Sequence, residues 1–220
     1  CEIMIRKANV FIKRKFRKIF QNQLNVKDIR LLKDKNFVII SDNCWGGEVY
    51  QWFKRPYNSP FIGLFLNGPC YIKLLSNFDY YMNQELNFVT DTKYPRLKAS
   101  YPIALLDDVE IHFLHYKNNE EAKSKWNRRT ERMFKETNKD NYYFKACDID
   151  HGSKETFEQF HQLPFKNKVS FGINNYESLK DKNHIKIEES YNNNGKSVPN
   201  GVKLYKLTFL YFNITKWLIN

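Results

Sequence analysis

The chain has 220 residues, of which 42% are hydrophobic and 16% aromatic; it holds enough apolar material for a core, which excludes disorder throughout. Its formal net charge of +12 favours anionic partners, whether phosphates, nucleotide-sugars, lipid headgroups or nucleic acid. Its four cysteines, Cys1, Cys44, Cys70 and Cys147, form no CxxC pair, which argues against a zinc ribbon or a disulfide-stapled secreted module.

Residues 3–20 read as a basic amphipathic helix. Ile5, Ala8, Ile12, Phe16, Ile19 and Phe20 recur at helical spacing, and Arg6, Lys7, Lys13, Arg14, Lys15, Arg17 and Lys18 fill the rest. The helix suits either peripheral contact with an anionic membrane or packing of its stripe on the body, and packing is the expectation. The segment is too basic for a signal peptide, and no apolar run approaches the roughly 18–20 residues that span a bilayer. The expected location is cytoplasmic, with peripheral contact at the inner face of the membrane. The expected division is 1–34 for helix and connector and 35–220 for an α/β domain.

Phe37–Ile40 reads as a buried strand. Ser41, Asp42 and Asn43 supply cap chemistry for a helix that starts near Cys44 and ends before Pro56. A second helix starts at Pro69 and runs to about Gln84. Residues 101–116 read as two strands around Asp107-Asp108. In the second strand, the period of two puts Glu110 and His112 on one face and His115 on the other. Asn118–Asn138 is a charged helix, Tyr142–Cys147 a strand, and Val169–Phe171 a further strand. Tyr191–Gly195 is a loop, and the apolar tail 204–218 packs on the body. This alternation predicts an α/β fold in a single domain, a mixed β-sheet flanked by helices.

The turn from Ser41 to Gly47 is the sharpest candidate site. A thiol at a helix N-terminus has its thiolate stabilised by the helix dipole, which makes Cys44 a candidate nucleophile. His112 or His115 is the candidate base, oriented by Asp107, Asp108 or Glu110. Asp42, Asn43, Trp45, Gly46 and Gly47 form the substrate-binding turn, the two glycines allowing close approach. The same turn suits an anion, although it matches neither GxGxxG nor GxxxxGK[ST]. Arg128, Arg129 and Arg132 on one helix are suited to hold a phosphate or carboxylate. Asp148-Ile149-Asp150 has the spacing of a metal-binding loop, but acidic loop residues are more often caps. No metal, no cofactor and no specific nucleic acid is expected, since no pattern for them is present.

The block Phe37 to Gln51 resembles the signature of bacterial proteins labelled exopolysaccharide or capsular polysaccharide biosynthesis proteins. The resemblance continues through Pro56–Leu64, Tyr101–Ile103, Leu106–Tyr116, Trp126–Arg129 and Leu163–Val169, covering roughly residues 35–218. It implies a setting in surface-polysaccharide assembly, not a chemistry. Cys44, the later histidine strand and Arg128-Arg129 are also similar, more faintly, to a group proposed to be papain-like cysteine peptidases. Together these imply a Cys-dependent acyltransferase or hydrolase acting on a glycan or an activated anionic donor. The alternatives are a non-catalytic binding or scaffold protein of the same pathway and a nucleotide-sugar-dependent glycosyltransferase.

Overall fold

The structure, a computed structural model, describes residues 2–94, 99–188 and 196–220, and of residues 2–7 the backbone alone. The side chains of Ile5, Arg6 and Lys7, the loop Tyr191–Gly195 and Cys1 therefore lie outside the described residues.

Two N-terminal helices come first, α1 (Glu2–Ile19) and α2 (Gln21–Leu31), joined by a kink at Phe20. Then come β1 (Val38–Ser41), α3 (Trp45–Trp52), α4 (Gly68–Ser76), α5 (Phe78–Met82) and β2 (Leu86–Val89). β3 (Ile103–Leu106), β4 (Val109–His112), α6 (Asn119–Phe134), β5 (Tyr142–Cys147) and α7 (Lys154–Gln162) follow. The chain closes with β6 (Asn167–Gly172), β7 (His184–Lys186), α8 (Gly201–Thr208) and α9 (Ile214–Ile219). The fold is α/β, with helices flanking both parallel and antiparallel strands.

The parallel strands lie in the order β1-β5-β6-β7. The hairpin β3–β4 does not join them; with β2 it forms a separate antiparallel sheet in the order β2-β3-β4. Asp107 turns the hairpin at φ 54°, a left-handed conformation that Asp tolerates better than most side chains.

β1 is the edge strand of the parallel sheet yet buried on both faces, because helices cover each face; at its free edge Ile39 N donates to the Tyr50 hydroxyl, and from α4 the Tyr71 hydroxyl donates to the Ile40 carbonyl. Val38 and Ile40 belong to one core cluster with Tyr71, Leu74, Trp126, Phe157 and Phe160 from α4, α6 and α7. Ile39 belongs to a second with Trp45, Val49, Leu204, Trp217 and Leu218 from α3, α8 and α9. The helix ends follow local chemistry. The Asn118 side chain accepts from Glu121 N at the start of α6, and Ser153 with Thr156 forms a capping box on α7. Asn77, at φ −138° and ψ 57°, breaks the single helix expected between Pro69 and Gln84 into α4 and α5.

The expectation that α1 packs its apolar stripe on the body is not met. Ile12 is 60% exposed and Ile19 70%, and Phe11 and Phe16 stand out with them. The contact with the body is made by the polar side instead. The Arg17 guanidinium lies 4.4 Å from the Trp52 ring centroid and 4.5 Å from that of Phe209. α2 is tied down by polar bonds, Trp52 Nε1 donating to Asp28 Oδ2 at 2.9 Å and Asn25 Nδ2 to the Trp52 carbonyl.

Candidate functional site

The site is organised by a strap of four residues, Gly63 to Leu66. Leu66 N donates to the Asp42 carbonyl at 2.9 Å, and the Cys44 thiol lies 3.9 Å from the Leu64 carbonyl. On its other side, Phe65 and His112 exchange backbone hydrogen bonds of 2.9 and 3.0 Å, and His115 N donates to the Gly63 carbonyl at 3.0 Å. The strap joins the turn after β1 to the end of β4 and lies between Cys44 and both histidines.

The two histidines differ. His115 is exposed. His112 is fully buried, with Nε2 2.7 Å from Glu110 Oε1. The Phe65 ring lies parallel to its imidazole at 4.4 Å, and the Asn67 side chain is 3.4 Å from Nε2. Glu110, itself 1% exposed, also accepts from Thr92 Oγ1 at 2.5 Å and from Lys93 N at 2.9 Å. A carboxylate at Nε2 favours the tautomer with the proton there and leaves Nδ1 as the basic nitrogen.

Beside the turn after β1 lies a buried charged group. Lys145 Nζ, with no exposed surface, is 2.7 Å from Asp42 Oδ1 and 3.1 Å from Asn43 Oδ1. Asp42 Oδ2 accepts from Cys147 N at 2.7 Å, and Asn43 Nδ2 lies 3.1 Å from Cys147 Sγ. Burial lowers the Lys145 pKa, but the Asp42 carboxylate and the Cys147 sulfur together outweigh it and hold the ammonium above its usual value. Burial raises Asp42 in spite of that partner.

The loop after β5 is strained. Asp150 and His151 adopt φ of 57° and 63°, consecutive non-glycine residues in the left-handed region, at a cost of about 1–3 kcal/mol each. The loop is pinned from several sides. Asp148 accepts from Ile173 N at 2.8 Å and from Val198 N at 2.7 Å, Gly68 N donates to the Asp150 carbonyl at 2.7 Å, and His151 stacks on Tyr94.

Several expected roles change in this setting. Burial pushes the Cys44 thiol up to about 11, with only partial relief from Lys145, the reverse of an activated thiolate. The helix N-terminus that was to activate it is covered. A Cβ on Gly201 would stand 2.6 Å from Trp45 N and 3.0 Å from Cys44 N, so the start of α8 sits on those amides. Asp42 and Asn43 are spent on Lys145 and Cys147 and do not face a ligand. Trp45 has no exposed surface and donates from Nε1 to Thr208 Oγ1 at 3.0 Å. Gly46 is the glycine that lets α3 lie close to Ile39 and Ser41, and Gly47 faces Ile62.

The arginines form no clamp. Arg129 is buried and donates to the Tyr116 hydroxyl at 2.7 Å, Arg132 donates to the Tyr57 carbonyl at 3.2 Å, and Arg128 is exposed. Asp108 is exposed and pairs with Lys73 instead of orienting a histidine; Glu110 does that. Among the described residues no group of three or more His, Cys, Asp or Glu side chains is placed to hold a metal ion. Both Asp148 oxygens are already engaged by backbone.

Two parts of this arrangement escaped sequence reasoning. Lys145 carried a signal, because a lysine inside the otherwise apolar Tyr142–Cys147 strand implies a buried counter-ion. Asn67 carried none beyond its place before Gly68-Pro69.

A family model described as "Domain of unknown function (DUF1919)" matches residues 15–218. A Haemophilus influenzae protein named "Uncharacterized protein" is 37% identical over 192 residues, covering 86% of each chain. Among the described residues, no helix is long and apolar enough to cross a membrane.

Proposed function

The chain belongs to the DUF1919 family, and we propose that it is an acyl-transfer or hydrolytic enzyme acting on a glycan or an activated anionic donor. The observation that carries this reading is the Glu110–His112 pair, 2.7 Å apart and out of water beside the Cys44 turn. A carboxylate held against an imidazole at this distance fixes the ring's tautomer and orientation, which is the arrangement a general base needs. The strained Asp150-His151 loop nearby supports the same location. A setting in surface-polysaccharide assembly comes from the resemblance of the sequence blocks given above.

In this reading Cys44 Sγ attacks an acyl carbonyl carbon while its proton passes to His112 Nδ1. His112 has no exposed surface and the strap lies between the two side chains, so the transfer requires the strap to move aside and admit a substrate hydroxyl that relays the proton. The leaving group departs with a proton returned by His112. A glycan hydroxyl or water then attacks the thioester, its proton passing to His112, and restores the thiol. A thiol held near 11 needs a base during attack, which is the role given to His112.

A second reading, a non-catalytic binding protein, is favoured by two observations: the raised Cys44 thiol and the covered N-terminus of α3. One experiment separates them. p-Nitrophenyl acetate should give a burst of p-nitrophenolate with acetyl on Cys44, lost in Cys44→Ser and slowed at least about 100-fold in His112→Asn. No acetylation of Cys44 in the folded chain would remove the enzyme reading and leave the binding protein.

A further inference from the structure

The face of α1 that a packed helix would bury is the face left in water. Phe11, Ile12, Phe16 and Ile19 stand at i, i+1, i+5 and i+8, and they are 58%, 60%, 57% and 70% exposed. Phe20 extends the stripe at 39%. The attachment to the body is made by Arg17, which stacks between Trp52 and Phe209, while Ile12 and Phe16 stand over an open groove edged by Leu24, Phe209 and Leu210. Monomeric soluble proteins seldom leave such an apolar row uncovered.

What covers it is indicated by charge. From Ala8 to Phe20 the chain carries Lys13, Arg14, Lys15, Arg17 and Lys18 and no acidic residue. All but Arg17 are exposed. An apolar stripe bordered by cations alone is the pattern of a helix lying in an interface, its rings below the headgroups and its cations among lipid phosphates. A second copy of this chain would set the same cations against one another around the stripe.

We propose that α1, through Phe11, Ile12, Phe16 and Ile19 with Lys13, Arg14, Lys15 and Lys18, docks this protein in the surface of a membrane carrying anionic lipid. Arg17 stays on the body, so the helix keeps its orientation when the stripe enters the lipid.

The test is flotation of the full chain with vesicles of phosphatidylcholine alone and of phosphatidylcholine mixed with phosphatidylglycerol. The expected result is recovery with the mixed vesicles only, weakening as salt rises. The combined replacement Ile12→Ser, Phe16→Ser and Ile19→Ser should lower partitioning at least about tenfold. Lys13→Gln with Arg14→Gln and Lys18→Gln should also lower it at least about tenfold. Because these side chains are exposed, neither set should shift the thermal melt, which is recorded alongside. Equal binding by the stripe variant would overturn the proposal, as would an unbound wild-type chain. A wild-type dimer that the stripe variant converts to monomer, without lipid binding, would assign the face to a second copy and overturn it as well.

Discussion

Lys145 and Asp42 meet at 2.7 Å across the neighbouring strands β5 and β1, with no water-exposed surface on the lysine side chain. The pair ties the turn after β1 to the strand that carries the strained loop. Removing one partner leaves the other charged and buried, which costs more than the attraction itself is worth. Lys145→Met is therefore expected to lower stability by about 3–5 kcal/mol. Asp42→Asn with Lys145→Met should cost less than the sum of the single changes, because the second replacement removes the stranded charge. Chemical denaturation of the three variants measures both. Additive losses would show that the two side chains act independently.

A second buried network makes a pH prediction. His184 Nε2 is 2.9 Å from the Asn174 carbonyl and so carries the proton there. Its Nδ1 then accepts from Ser170 Oγ at 2.8 Å, and Ser170 accepts from His161 Nε2 at 2.8 Å. Both rings are neutral in this arrangement. Burial lowers His161 from the ordinary 6.5 to about 4, and burial also lowers His184. The unfolded chain thus binds more protons than the folded one across that window, so stability rises with pH. The contribution is complete above pH 6.5 and is lost as pH falls toward about 4. Urea denaturation at both ends should show the loss, and His161→Gln, which retains a donor for Ser170, should reduce the slope. An unchanged slope in that variant would place the titration elsewhere.

Asp148 works as a clasp between β5, the residue after β6 and the segment before α8. Asp148→Ala removes the acceptor for two backbone N–H groups. It is expected to cost about 1–3 kcal/mol for each one left without a partner. Adding Mn²⁺ or Mg²⁺ should leave the melting temperature of the wild-type chain unchanged, since neither Asp148 oxygen is free for a cation. A metal-dependent rise that Asp148→Ala abolishes would revive the metal-loop reading of Asp148-Ile149-Asp150.

The sequence was most legible where one residue's local chemistry decided the outcome. The charged helix expected over Asn118–Asn138 is present as Asn119–Phe134, and the Tyr142–Cys147 strand and the hairpin turn at Asp107-Asp108 are set by short-range pattern and stand as read. So does the pairing of Glu110 with His112 on one face, which needs only the period of two. β2 and β7 were missed because each is short and only partly buried, so alternation is weak there. The N-terminal stripe was misjudged for another reason. Amphipathicity reports that a face is apolar and is silent on whether protein or another apolar phase covers it. The activated thiol failed as an expectation because the start of α8, more than 150 residues away, covers the α3 amides.

The two glycines that flank this packing separate a structural turn from a ligand-approach turn. Gly201 has Asn43 Oδ1 and Trp45 N at 2.6 Å from the place of a Cβ, and Trp45 N belongs to backbone that a side-chain rotation cannot move. Gly201→Ala must push α8 off α3, and with it Leu204 and the Trp45 indole that bonds Thr208. The expected loss is about 2–4 kcal/mol, read as a lowered midpoint in chemical denaturation. At Gly47 the nearest atom, Ile62 Cγ2, is 3.6 Å away, an ordinary contact, and the residue is helical. Gly47→Ala should therefore be neutral or stabilise by up to about 1 kcal/mol, since alanine loses less backbone freedom in a helix than glycine. If Gly47 serves close approach of a substrate, Gly47→Ala would abolish acetylation of Cys44 by p-nitrophenyl acetate while leaving stability intact. Retained acetylation in Gly47→Ala removes the substrate-approach role from Gly47, and a destabilised Gly201→Ala assigns Gly201 to packing between α8 and α3.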